Sequence, residues 1–418
     1  MYVIHSVKIE GVWERLNAEC TFNDDVNIII GKNGSGKTNF MNILHAILSV
    51  EPESISFGDF SSATITLKRK NGDKKYPIKV NVSEEDKNGG ILFVYILEGK
   101  KYEIPSLDSY SYISRRRLRE KINVLKEKLS NVVSLSSLPV YRFSISEHLA
   151  KRDSLDIRID TEYTNPVDSR LNQLLKDLMM YHVQLSQRAR NVSIKLQKEV
   201  LASILYSEED SEDESLVTEF NPDNEKRELI AAYDRLNAIG DDVENKIDFH
   251  IESISKTLSE IKTSHNNDIN SRPLEAFRKT QSIIKKSLNA EKEIDDIFSQ
   301  KNLFLKIISE FIPDKDLIFS DVLFHFKNKH GKINHEKLSS GEKQLLILLI
   351  ETLLQQKNPY VFLTDEPELS LHIEWQRKII PAIRKLNPNS QIIAATHSPE
   401  VASTYSDNMF DMEDLVHG

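Results

Sequence analysis

The octapeptide GKNGSGKT, Gly31 to Thr38, sets glycines, one lysine and one hydroxyl at the spacing G-x-x-x-x-G-K-T. Gly31, Gly34 and Gly36 let the backbone bend so that successive N–H groups point inward at phosphate oxygens. Lys37 would then reach the β- and γ-phosphates, and the Thr38 hydroxyl would hold Mg²⁺. The loop follows the apolar run VNIII and leads straight into a helical pattern, the context such a loop requires. The expectation is a nucleoside triphosphate held by Gly31, Asn33, Gly34, Ser35, Gly36, Lys37 and Thr38.

Three later stretches complement that loop. YVFLTDEPE is an apolar strand ending in adjacent carboxylates, Asp365 and Glu366. Strand ends of this kind lie at the carboxyl edge of an α/β sheet, where ligands bind. Asp365 would support Mg²⁺, and Glu366 would polarise the attacking water as a general base. QIIAATHSPE ends another buried strand with Thr396 and His397, whose imidazole can contact the γ-phosphate or hold the water against Glu366. LSSGEKQ, Leu338 to Gln344, is a polar loop opening onto the apolar run LLILLI, a second helix N-terminus suited to anions.

Elements must bring these together. Residues 1 to about 110 read mostly as strands: VIHSVKIEGV, VNIII, ATITLKRK, YPIKVNV and ILFVYILEGKKYEI, broken by turns. The helix after the glycine loop sets Phe40, Ile43, Leu44 and Ile47 on one face. A charged helix from about Ile113 to Leu129 precedes another strand, LPVYRFSI. Residues 166–312 hold long amphipathic stretches that read as antiparallel helical hairpins, without the sustained heptads of a long rod. After Pro313, apolar strands alternate with helices, the pattern of a parallel sheet covered on both faces. The expected fold is therefore α/β: a P-loop ATPase head in two parts, 1–165 with a β-rich lobe and 313–418, split by the helical insertion 166–312.

Composition narrows the function class. Hydrophobic residues make up 39% and charged residues 28% of the 418-residue chain, as in ordinary globular proteins. The net charge of −9 argues against a strong sequence-blind polyanion binder, although SRRRLREK, Ser114 to Lys121, is a local basic stretch. SEEDSEDES, between the first two helical stretches, is a dense acidic run best explained as a solvated loop. The single cysteine, Cys20, excludes an internal disulfide framework. With no leader pattern at the start and no apolar run long enough to span a bilayer, the expectation is a cytoplasmic protein without membrane contact.

The order P-loop, LSSGE, apolar-DE, His resembles the ATP-binding-cassette ATPases. The long helical block, with the opening VIHSVKIEGVWERL, DEPELSLH and ATHSPEV, is similar to the SMC/RecF/OLD-like group within them. The resemblance covers residues 1–60 and 330–405 and implies a composite site. In that family the signature loop touches the ATP of a second, head-to-tail subunit. Ser339, Gly341 and Glu342 would accordingly serve the partner's nucleotide, and Ser370-Leu371-His372 would lie at the same interface. Two departures stand out. No glutamine falls between Lys37 and Gln173 to act as the family's Q-loop, so either a polar residue near LPVYRFS takes that role or the coupling is altered. Only 21 residues follow His397, too few for the Toprim nuclease domain of OLD-type enzymes.

The resemblance implies ATP and Mg²⁺ as ligands and an ATPase that dimerises or oligomerises around ATP, with slow, regulatory turnover. Stand-alone ATPases of this appearance resemble subunits of bacterial anti-phage systems such as PARIS and Septu, where a separate effector, often a nuclease, is restrained or recruited. Two alternatives remain open on the sequence: a RecF-like repair ATPase that clamps DNA, and a nucleotide-gated scaffold with negligible turnover.

Overall fold

The computed structural model describes residues 2–12, 16–55, 59–70, 72–83, 91–105, 112–138, 166–202, 220–236, 238–263, 272–319 and 324–417. The first part runs β1 (Tyr2–Val12), β2 (Leu16–Thr21), β3 (Val26–Ile30), α1 (Lys37–Ser49), β4 (Ser62–Arg69), β5 (Lys75–Ser83), β6 (Leu92–Leu97) and β7 (Lys100–Pro105). It closes with α2 (Tyr112–Val132) and β8 (Leu135–Leu138). Four long helices follow: α3 (Pro166–Ala202), α4 (Pro222–Arg235), α5 (Asp241–Thr263) and α6 (Arg272–Phe311). The last part contains β9 (Asp316–Phe319), β10 (Phe324–Asn328), β11 (Gly331–Ile333), α7 (Ser340–Leu354), β12 (Val361–Asp365) and α8 (Ile373–Leu386). It ends with β13 (Gln391–Ala395), α9 (Pro399–Ala402), β14 (Met409–Asp411), α10 (Met412–Leu415) and β15 (Val416–His417). These elements form two compact units, Met1–Met179 with Leu303–Gly418, and Met180–Asn302.

In the first unit two larger sheets enclose α1. One is seven-stranded and antiparallel, in the order β15-β2-β1-β4-β5-β6-β7. Its strands alternate: Ala63, Ile65 and Leu67, Ile78 and Val80, and Phe93, Tyr95 and Leu97 are buried, with polar residues between most of them. A period of two turns one face of the sheet to the core. The run ILFVYILEGKKYEI is a hairpin rather than one strand, because Glu98 and Gly99 both take positive φ at its turn. On α1, Phe40, Ile43, Leu44 and Ile47 are all buried and share one cluster with Phe93, Tyr95, Ile29, Leu363 and Ile393. The core thus joins both sheets around the helix that follows the glycine loop.

The other large sheet has five strands, all parallel, in the order β14-β3-β13-β12-β8. Every residue of β12 and β13 is buried, which is why they read as continuous apolar runs. The register sets Ile29, Ala395 and Asp365 in one row across three neighbouring strands. Adjacent strands lie roughly 5 Å apart, so segments remote in sequence end side by side at one edge. At the opposite edge the buried Gln391 side chain substitutes for a ladder. Its Oε1 accepts from Ile4 N–H at 2.8 Å and its Nε2 donates to Ile4 O and Asn23 O at 2.7 and 2.8 Å.

Strand β8 pairs with β12 up to Leu138 opposite Thr364, so the chain leaves it beside the Asp365 row. Most of LPVYRFSI lies past that point, outside the described residues, as does the acidic run SEEDSEDES. The basic stretch SRRRLREK belongs to α2, whose side chains are described only from Leu118 on.

The second unit is helical. Leu229 and Ala232 of α4, Ile247 and Ile251 of α5, and Ile283 and Ile284 of α6 form one buried cluster. Around it, Arg235 donates to Ser287 Oγ at 3.1 Å and pairs with Glu291. The amphipathic stretch from Glu225 to Thr263 is divided between two helices, α4 and α5. Gly240 accepts from the N–H groups of Val243 and Glu244 and opens α5, and Asp241, Asp242 and Glu244 crowd its first turn. Among the described residues no helix is long and apolar enough to cross a membrane.

Candidate functional site

The glycine loop runs between β3 and α1 and is shaped by three positive-φ glycines, Gly31 at 147°, Gly34 at 82° and Gly36 at 94°. A side chain at Gly31 would meet Ser35 Oγ at 2.9 Å and Met412 Cβ at 3.1 Å, so glycine is required there on steric grounds too. Around Gly34 the space is open to 4 Å. Gly36 is the N-cap of α1 and offers no capping side chain, leaving the first N–H groups of the helix directed at the loop. The Ser35 hydroxyl is buried without a partner among the described residues. An uncapped helix start, an open glycine and an orphan hydroxyl together fit a phosphate chain.

Lys37 is 4% exposed, and its ammonium donates to Gly31 O at 2.7 Å and Lys32 O at 3.1 Å. Burial lowers its pKa, opposed by the nearby carboxylates Asp365, Glu366, Asp411 and Glu368. Its Nζ also stands 3.5 Å from His397 Nδ1, although 360 residues separate the two in sequence. Asp365, at the end of β12, is buried, and this desolvation raises its pKa. The Thr38 hydroxyl, hydrogen-bonded to it, works the other way, while Glu366 and Glu368 add to the rise. A hydroxyl against a carboxylate at a phosphate cradle is the donor set Mg²⁺ takes when phosphate oxygens and water complete its shell.

Glu366 takes φ 46°, a left-handed conformation that a non-glycine residue adopts at a cost. Its N–H donates to Ala395 O at 2.8 Å, tying the end of β12 to the end of β13. Glu366 and His397 face a common open cleft of about 600 Å³, lined also by Asn33, Glu368, Ser370 and Gln376. The structure thus brings the glycine loop, Asp365, Glu366 and His397 to one sheet edge.

The signature loop is built differently. Ser339 caps α7 through a reciprocal capping box: Glu342 N–H donates to Ser339 Oγ at 3.3 Å and Ser339 N–H to Glu342 Oε2 at 2.8 Å. The other Glu342 oxygen pairs with Lys315. Burial alone would lower the Lys315 pKa; Glu342 and Asp314 outweigh it and raise it. Behind the cap, Leu345 to Ile350 are all fully buried, so α7 is anchored through the head. Gly341 lies against the 366–372 segment: a Cβ there would come within 2.4 Å of Ser370 O. Ser370 itself takes φ 65°. Ser339, Gly341 and Glu342 therefore group with Lys315 and with Ser370; of these, Ser370 alone is among the residues lining the Glu366–His397 cleft.

Sequence reading missed three polar residues. Glu368 Oε1 accepts from the Thr396 hydroxyl and from the N–H groups of His397 and Ser398, the latter two at 3.0 and 3.1 Å. Gln376 donates to Leu371 O at 3.0 Å and accepts from Ser398 Oγ at 2.7 Å. Lys315 holds Glu342. Glu368 was in plain view as the third acid of DEPE; for Gln376 and Lys315, pairing across distant segments leaves no local signal.

A family model described as "AAA ATPase domain" matches residues 3–402. Among curated proteins, the Septu protein PtuA of Bacillus mycoides (strain KBAB4) is 30% identical over 118 residues, 27% of this chain and 15% of that protein. The Retron Ec83 probable ATPase of Escherichia coli is 42% identical over 79 residues, 16% of this chain and 15% of its own length. The chain thus spans only a small part of these relatives. Among solved structures, the Smc head domain with an extended coiled coil bound to the C-terminal domain of ScpA, derived from Pyrococcus furiosus, aligns with 15% identity and a TM-score of 0.44. That alignment covers 96% of this chain and 92% of that one.

Proposed function

Because the chain belongs to the AAA ATPase domain family, we propose that it hydrolyses ATP at the Gly31–Thr38 loop and acts as a nucleotide-gated regulator of a separate effector. The observation that carries this reading is the convergence at one sheet edge of a buried lysine, a Thr–Asp pair, a strained glutamate and a histidine. In it, the backbone N–H groups of Gly34, Ser35 and Gly36 with the start of α1 bind the phosphates of the substrate, together with Asn33. Lys37 turns from its loop carbonyls to the β- and γ-phosphates. Thr38 and Asp365 would hold Mg²⁺, which when bound would neutralise charge developing on the phosphates. Glu366 orients the attacking water and takes its proton, and His397, beside Lys37, holds the γ-phosphate end.

Ser339, Gly341 and Glu342 complete the site of a second copy, head to tail. Supporting this, the capping box leaves the N-terminus of α7 formed, and Ser339, Gly341 and Glu342 are not among the residues that line the chain's own Glu366–His397 cleft. Turnover in this reading is slow, and nucleotide occupancy is the signal. The partial likeness to the Septu protein PtuA and the retron probable ATPase supports a setting in anti-phage defence with a separate effector, a nuclease being the expected kind. The test is Glu366→Gln, which keeps the water site but removes the base. It should retain ATP, lose turnover by about 10²-fold or more, and elute as a dimer only with ATP. A variant that stays monomeric with saturating ATP would overturn the dimer reading.

A further inference from the structure

Strand β13 ends at Ala395 and the Thr396 N–H still donates to Ile29 O at 3.0 Å, but α9 starts only at Pro399. The Thr396 hydroxyl and the N–H groups of His397 and Ser398 must therefore find acceptors outside the sheet. One carboxylate oxygen supplies them. Glu368 Oε1 takes the Thr396 hydroxyl, the His397 N–H and the Ser398 N–H, and the Thr396 hydroxyl oxygen in turn accepts from Ser398 N–H at 2.9 Å. The imidazole beyond this anchor is exposed and reaches Lys37 at 3.5 Å. Glu368 Oε2 is buried and finds no partner among the described residues, an expensive arrangement for a carboxylate that merely packs a loop.

We propose that Glu368 is the positioning residue for His397. It clamps the backbone on both sides of the imidazole and so fixes where the ring stands relative to Lys37 and the phosphate cradle. Glu368 sits two residues after Glu366, on the same segment as Ser370, which touches Gly341. The clamp therefore ties the histidine to the stretch that carries the general base and abuts the signature helix. It touches no reacting atom; its effect runs through the ring it places.

The functional role rests on the ATPase reading above, so the experiment has two arms that fail separately. In the first, ATP turnover is measured for Glu368→Ala, His397→Ala and the double variant. A ring misplaced by about 1 Å should cost on the order of 10²-fold in kcat with little change in KM. In the His397→Ala background, Glu368→Ala should cost less than about threefold more, since coupled residues are non-additive. Losses that multiply would overturn the proposal. Glu368→Gln keeps an acceptor oxygen and should recover kcat to within about tenfold of the parent; Glu368→Leu, which keeps bulk but removes both oxygens, replaces Glu368→Ala in both arms should the alanine variant fail to fold. In the second arm, the imidazole C2–H signal of His397 is identified among 12 histidines by its loss in His397→Ala. That signal should shift and broaden in Glu368→Ala without nucleotide. An unmoved signal overturns the clamp even if wild-type turnover is absent, whereas absent turnover with a shifted signal refutes only the ATPase reading.

Discussion

Gly341→Ala sets two local effects against each other. Gly341 occupies the first turn of α7 with an ordinary helical backbone, so by propensity alanine would stabilise it by about 1 kcal/mol. The new methyl, however, would sit 2.4 Å from Ser370 O and 3.5 Å from its carbonyl carbon. A carbon and a carbonyl oxygen rest at about 3.3 Å or more, so the 366–372 segment and the start of α7 must separate by about 1 Å. The obstacle is backbone, and Ser370 at φ 65° has little freedom to yield. Overpacking of this kind costs ~1–3 kcal/mol; less the propensity gain, a net loss of about 1 kcal/mol remains. The larger effect falls on the site, because the displaced segment begins at Glu366: kcat should fall by about 10²-fold. Urea unfolding gives the first quantity and steady-state phosphate release the second. Ser340→Ala is the control, changing the same helical turn at an exposed position. A Gly341→Ala protein more stable than the parent with full turnover would refute the steric argument.

Other outcomes follow from the same geometry. Lys37→Ala should abolish measurable ATP binding by fluorescence titration with a labelled analogue, since it removes a buried cation from the cradle. Asp365→Asn should abolish turnover yet raise the melting temperature by roughly 1–2 °C, the buried carboxylate being held above its usual pKa. The sign follows from that rise: ionised Asp365 costs stability above its unfolded pKa, and the cost fades as pH falls through the folded one. The gain from Asp365→Asn should accordingly be largest at neutral pH and shrink in acid, read from melts across pH. Lys315→Met should leave ATP binding by the P-loop intact while loosening the Glu342 carboxylate, lowering kcat by about tenfold.

Much of the first unit is legible from the sequence because its signals are local. The glycine loop, the two fully buried strands β12 and β13, and the apolar face of α1 each announce themselves within a few residues. Legibility ends where pairing is long-range. Strand order puts Lys37 beside His397, and no spacing encodes that contact. The split between α4 and α5 hinges on Gly240, one residue inside an otherwise helical pattern. Gln376 and Lys315 act on partners 22 and 27 residues away, Ser398 and Glu342, through turns that periodicity does not describe. Of LPVYRFS, the stretch near which a substitute for the Q-loop glutamine is sought, only Leu138 is described.

The most direct test of the account is complementation between two inactive subunits. Lys37→Ala disables the cradle and Ser339→Arg the signature loop, so each variant alone should be inactive. In a head-to-tail pair of one of each, one site joins an intact cradle to an intact signature. Random mixing at equal concentration makes half the dimers mixed, each with one good site of two, so about a quarter of wild-type turnover should return. If mixing restores nothing, while both variants fold and Ser339→Arg still binds ATP, the signature loop serves its own subunit and the composite site is wrong.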